Sequence, residues 1–206
     1  IIKKHMDNIC NNVYITDEKC KNGTERICKY LYLINNKFNI IVNIQADEPF
    51  INYINIDSAI KYHLRNINID KLFYTTLHQK ILDNNYLNSQ GCLTVQFKKN
   101  NDVITYSRNV IPGNKSGIND ISKFDYYGFT GIYVFNRKYL EIFNNLLDTK
   151  YQLYEDIEQM KIIENGYIIK TYECPKYNEI SLNTKEDLNY LLEKYCGIKI
   201  KKIKLV

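Results

Sequence analysis

The chain has 206 residues, 45% hydrophobic and 25% charged, so it can bury one sizeable core and reads as one domain or a large part of one. Its net charge is +5, but Lys199, Lys201, Lys202 and Lys204 supply four of those charges near the C-terminus. The body is left at +5 − 4 = +1, without the basic stripe of a nucleic-acid binder, so no nucleic-acid partner is expected. No apolar run reaches the ~18 residues of a membrane span. The three histidines (His5, His63, His78) are scattered, and the six cysteines include no C-x-x-C pair. Reduced thiols are therefore expected, as in the cytoplasm. The sequence opens Ile1-Ile2-Lys3 without an initiator Met, which leaves organellar targeting open.

Along the chain, helical and strand patterns alternate, which favours an α/β sheet. Val13 to Thr16 reads as a strand. Ile40-Ile41-Val42-Asn43-Ile44 is rich in β-branched residues and reads as a central parallel strand covered on both faces. Ile56, Ala59, Ile60, His63, Leu64 and Ile67 share one helical face, which makes His63 a packed histidine. Segments 92–97 and 103–106 flank Lys98-Lys99-Asn100-Asn101-Asp102 as a hairpin. Gly131 to Phe135 is a further strand, and Glu155 to Glu164 a helix stopped by Asn165-Gly166. Asn35-Asn36 and Asn84-Asn85 read as turns. Thr184 caps a last helix with Asp187 at its third position; Leu188, Leu191, Leu192 and Tyr195 form its apolar stripe, and Gly197 closes it.

The chemistry concentrates in Asn43-Ile44-Gln45-Ala46-Asp47-Glu48-Pro49. A strand that ends in two acids and a proline aims them at the carboxyl edge of the sheet, where ligands of open α/β sheets bind. An acid there can hold a hard divalent cation, which in turn neutralises a triphosphate. Equally, the three residues can serve only to cap the next helix.

Six segments, in order, resemble the CMP-Kdo synthetase family. Asn43 to Pro49 resembles V-N-x-Q-G-D-E-P, with Ala46 in place of the glycine. Gly23-Thr24-Glu25-Arg26 resembles S-G-T-E-R, with Asn22 in place of the serine. Tyr106-Ser107-Arg108 with Ile111-Pro112 resembles F-S-R-x-x-I-P, and Gly131-Ile132-Tyr133 resembles G-I-Y. Ile157 to Gly166 resembles L-E-Q-L-R-x-x-E-N-G, and Leu182 to Leu188 resembles V-D-T-P-E-D-L. The resemblance implies a doubly wound, Rossmann-like and glycosyltransferase-A-like nucleotidyltransferase fold with a mixed sheet. It also implies a homodimer, with a dimer-contact subdomain around residues 92–135.

The implied activity is transfer of CMP from CTP to the sugar acid 3-deoxy-manno-octulosonate (Kdo), with Mg2+ as cofactor, in lipopolysaccharide biosynthesis. In that reading Asp47 and Asn183 are the metal ligands, Gln45 lies close to both substrates, and Arg108 holds the Kdo carboxylate. Gly23 and Arg26 border the cytidine, while Tyr133 and Gln159 contact the sugar acid. Three departures stand out. Asn183 replaces the family's second metal-binding aspartate, and Phe129 stands where the family has a histidine. The family's N-terminal Arg/Gly/Lys loop, which cradles the triphosphate, has no counterpart. The chain is therefore expected to be a piece lacking the first βα units, inactive by itself. A sister enzyme acting on another sugar acid, such as sialic acid, and a non-catalytic relative that retains the fold are the alternatives.

Overall fold

The computed structural model describes residues 2–89, 92–177, 181–182 and 184–197. The helices are α1 (Ile2–Met6), α2 (Gly23–Lys29), α3 (Tyr53–Asn66), α4 (Asn84–Leu87), α5 (Arg137–Phe143), α6 (Lys150–Glu155), α7 (Glu158–Glu164) and α8 (Lys185–Cys196). Between them run the strands β1 (Ile40–Ile44), β2 (Leu72–Lys80), β3 (Thr94–Phe97), β4 (Val103–Ser107), β5 (Tyr127–Asn136) and β6 (Ile168–Glu173). The six strands form one sheet in the order β4-β3-β5-β2-β6, with β1 also paired to β5. The β2–β6 ladder is parallel and the others are antiparallel, so this is a mixed α/β fold on a mixed sheet.

The spine of the sheet is β5. Its residues alternate between two cores. Ile132 and Val134 pack with Ala59 and Leu77 under α3. On the other face Tyr133 and Phe135 join Phe73, Tyr74, Leu140, Phe143 and Met160 beneath α5 and α7. The strand covered on both faces is thus β5 rather than β1. Ile40–Ile44 is a strand, but it runs antiparallel to β5 and is laddered to no other strand among the described residues. A short β-branched run has the same composition at a sheet edge as at its centre, which is why the position could not be read from it.

Other expectations hold with changes. The 98–102 hairpin joins β3 and β4. His63 is fully buried between α3 and β2, with its Nδ1 3.1 Å from Thr75 Oγ1, but Leu64 on the same helix is 51% exposed. Residues 13–16 form no strand, and Asn84-Asn85 opens the short α4 rather than a turn. The helix expected from Glu155 is broken in two: Asp156 takes a left-handed conformation (φ 52°) that ends α6, and α7 starts afresh at Glu158. The capping box at Thr184 and Asp187 forms, and Gly197 closes α8 at φ 65°. Of the α8 stripe, Leu191 is buried while Leu188 and Tyr195 are exposed.

Candidate active site

A cleft of about 420 Å³ opens beyond the end of β1, between α2, the middle of β5, the start of α7 and Ser181. Its polar wall carries Gln45, Asp47, Glu48, Glu158 and Gln159, and its apolar wall Leu93, Phe129, Leu153 and Ile157. A cleft of this size suits a small-molecule ligand.

Close backbone approach builds the site. The Gln45 amide donates to Gly131 O at 2.9 Å, and the turn closes as Glu48 N donates to Gln45 O at 3.3 Å. A Cβ on Gly131 would lie 2.8 Å from Glu48 Cγ and 2.9 Å from Gln45 Cβ, so the loop after β1 can rest on β5 only where that residue is glycine. At the opposite wall Asn22 caps α2 by accepting from Glu25 N at 2.8 Å. A Cβ on Gly23 would come within 3.2 Å of Gln45 Nε2. The next residue, Thr24, ties α2 to α7 by donating its hydroxyl to Glu158 Oε1 at 2.8 Å and its amide to Oε2 at 3.3 Å.

Burial sets the electrostatics. It raises the Glu158 carboxyl above the ordinary range, which the two bonds from Thr24 partly offset. Burial likewise raises Glu48, against the lowering effect of its bonds from Gly131 and Ser181. Tyr133 is 5% exposed, and burial pushes its phenol well above the usual value. Its hydroxyl accepts from Gln159 Nε2 at 3.3 Å.

Of the residues singled out in the sequence, Gly23, Gln45, Asp47, Tyr133 and Gln159 meet at this cleft. The two arginines face elsewhere. Arg108 donates from Nε to Glu155 O at 2.5 Å and from Nη2 to Asp156 O at 3.1 Å, a cation serving the carbonyl end of α6. Arg26 donates to Thr16 Oγ1 and to Asp17 O, holding segment 16–17 against α2. Asn183 lies outside the described residues. Glu48 is the second of the two acids that the sequence puts at the sheet edge, without a role of its own there; Glu158 and Ser181 were missed, although Glu158 sits beside the chosen Gln159. Ser181 carries no sequence signal of its own.

The donor set suits a hard cation: Asp47 offers a carboxylate at the cleft wall. Among the described residues no three acid, histidine or cysteine groups converge to enclose a metal. Magnesium commonly keeps substrate and water oxygens in its shell, so one or two protein ligands fit it.

A cytidylyltransferase family model matches residues 1–178. The chain belongs to the cytidylyltransferase family. The mitochondrial 3-deoxy-manno-octulosonate cytidylyltransferase of Arabidopsis thaliana is 37% identical over 161 residues, covering 77% of this chain and 53% of that protein. A 3-deoxy-manno-octulosonate cytidylyltransferase of Fusobacterium nucleatum is 31% identical over 196 residues, covering 93% and 76%. The chain spans about half the length of the plant relatives it matches. In fold, this member of the family superposes on a CMP:2-keto-3-deoxy-manno-octonic acid synthetase complexed with CTP. The TM-score is 0.81 at 19% identity, over 95% of this chain and 77% of the other. No helix among the described residues is long and apolar enough to cross a membrane.

Proposed function

We propose that the complete protein transfers CMP from CTP to 3-deoxy-manno-octulosonate, with release of pyrophosphate. The observation that carries the reading is the meeting of Gln45, Asp47, Tyr133 and Gln159 around one cleft, in a chain similar to enzymes named for that reaction. In the reaction the anomeric hydroxyl oxygen bonds to the α-phosphorus as the bond to the pyrophosphate oxygen breaks. Such a transfer depends on positioning and charge neutralisation more than on covalent help. Asp47, with Asn183, would hold magnesium, which supplies neutralisation of the triphosphate. Gly23 leaves room for Gln45 beside the nucleotide, and the Gln159–Tyr133 pair orients acceptor hydroxyls.

Arg108 would reach the acceptor carboxylate only by releasing the α6 carbonyls it now serves, and Arg26 would border the base only by leaving segment 16–17. We also propose a homodimer with contacts from residues 92–135, and a doubly wound arrangement whose first βα units lie outside this sequence. The edge of β1 that is laddered to no other strand among the described residues and the partial span of the plant relatives support that arrangement.

The test is turnover of CTP and Kdo by the full-length protein, followed as pyrophosphate release. Asp47→Ala should abolish it while the protein remains folded. If Asp47 merely caps the following segment, the same change costs about 1 kcal/mol of stability and turnover survives. A folded full-length protein with no turnover would favour the non-catalytic relative, the reading to which Phe129 and Asn183 lend support.

A further inference from the structure

We infer that Glu48 is a positioning residue that clamps three chain segments together and thereby fixes the backbone of Asp47. Its Oε1 accepts from the Gly131 amide at 3.1 Å and from the Ser181 hydroxyl at 3.0 Å. One carboxylate oxygen thus joins the loop after β1, the middle of β5 and the segment that leads into α8. The same three pieces are cross-tied beside it. Gln45 N donates to Gly131 O at 2.9 Å, and Leu182 N donates to Asp47 O at 2.7 Å. Farther out, Phe50 stacks on Tyr195 of α8 with ring centroids 4.2 Å apart.

Residue type matters here. Gly131 lacks the Cβ that would displace Glu48 Cγ. An aspartate would fall one methylene short of both donors, whereas a glutamine keeps the accepting oxygen. Asp47 is held on both sides, through its own carbonyl by Leu182 and through its neighbour's side chain by Gly131 and Ser181. The direction of its carboxylate therefore depends on the 181–182 segment being docked, which makes that segment part of the cleft rather than a trailing connection.

This inference rests on the proposed reading for its consequence, the binding of CTP, but the clamp itself is measurable without it. The experiment compares full-length wild type, Glu48→Ala, Glu48→Gln and Ser181→Ala. It uses hydrogen exchange by mass spectrometry and calorimetric titration with CTP in magnesium buffer. Hydrogen bonds to a charged acceptor are strong enough that their loss is expected to speed exchange about tenfold. In Glu48→Ala this should occur in peptides containing Gly131 and in those spanning 181–196, with CTP affinity falling by a similar factor. Glu48→Gln should stay within about threefold of wild type on both readouts, a difference of under 1 kcal/mol.

Ser181→Ala removes one donor without touching the loop, and keeps the test decisive if Glu48→Ala fails to fold. It should speed exchange in 181–196 alone and weaken CTP binding by less than Glu48→Ala does. Unchanged exchange in both alanine variants overturns the clamp. Faster exchange with unchanged CTP affinity overturns the positioning role, and Glu48→Gln behaving like Glu48→Ala overturns the assignment to the accepting oxygen. A wild type that binds no CTP defeats the functional reading and, with it, the link to nucleotide binding, while the exchange pattern still decides the clamp.

Discussion

At the scale of single residues, the cleft depends on what is missing as much as on what is present. Gly131 has no side chain, and that absence lets Gln45 and Glu48, on either side of Asp47, lie directly against β5. A methyl there meets Glu48 Cγ at 2.8 Å, closer than packed atoms tolerate, and the far side is the buried spine of the sheet. The loop must therefore move. Overpacking of this kind costs about 1–3 kcal/mol, so Gly131→Ala should leave a folded protein with a lowered melting midpoint. Its larger effect is expected on turnover, a loss of ten- to a hundredfold, because small misplacements of a positioned group are costly. Steady-state kinetics beside a thermal melt would check this; near-normal turnover would mean that the loop position is not critical.

Asn183 is the opposite case, since its proposed role comes from its sequence neighbours alone. In the full-length protein Asn183→Asp adds a negative charge to the proposed metal site. It should lower the magnesium concentration needed for half-maximal rate. A titration of rate against magnesium, showing the same half-point in both proteins, would remove Asn183 from the site.

Among the elements, the segment between α2 and β1, a single 3-10 turn at Leu31–Leu33 followed by a loop, shows how a connection is held. Arg137, the first residue of α5, is only 8% exposed. Its guanidinium donates to the carbonyls of Leu31, Ile34, Asn35 and Phe38 and to Asn36 Oδ1, at 2.9 to 3.4 Å. Those carbonyls lead straight into Ile40, so one side chain sets the entry of β1 and hence where its acids emerge. Arg137→Leu would leave the buried Leu31 carbonyl unpaired and expose the other acceptors to water alone, and should destabilise by about 1–3 kcal/mol, the usual cost of one buried unsatisfied polar group. Urea unfolding checks the magnitude. A loss below about 1 kcal/mol would show that water replaces the guanidinium.

None of this was visible in the sequence, where Arg137 is one cation among 28 basic residues. Elements with local causes were legible. The Thr184–Asp187 capping box, the Gly166 and Gly197 stops and the 98–102 hairpin all depend on residues within a few positions of each other. What could not be read was set by distant partners. The edge position of β1 follows from pairing with β5 about ninety residues later. The break at Asp156 coincides with Arg108, just past the end of β4, capping α6 from 48 positions away. Half of the site followed the same rule. Gln45, Asp47 and Gln159 lie inside compact motifs, whereas Ser181 enters the cleft only through its bond to Glu48, 133 positions away.

For the molecule as a whole, two buried histidines predict how stability responds to acid. His78 is 5% exposed, its ring stacked on Phe97 and edge-on to Tyr127, with Nδ1 3.0 Å from Thr171 Oγ1. Burial pulls its pKa from 6.5 down to about 4. Burial also lowers His63, against a raising effect from Asn136. In the unfolded chain both imidazoles take up a proton near pH 6.5, while the folded protein keeps them neutral until lower pH. The unfolded state therefore binds more protons between those limits, and stability falls as pH drops. For His78 the window runs from pH 6.5 to about 4, which corresponds to about 3–4 kcal/mol at most.

Carboxyls act elsewhere or in the opposite sense. Asp148, held down to about 2 by Lys161 and Lys21, loses its contribution only below its ordinary 3.8. Burial raises Glu48 and Glu158, so acid relieves rather than adds to their cost. The raw slope mixes these terms, and a variant is needed to separate them. His78→Asn retains a polar group near Thr171 but does not titrate. Urea unfolding at pH 7.5 and pH 5 should show wild type losing about 1–2 kcal/mol more between the two than the variant does, since pH 5 lies part-way through the window. Equal losses in the two proteins would show that His78 is protonated while folded, and that the acid response originates in another group.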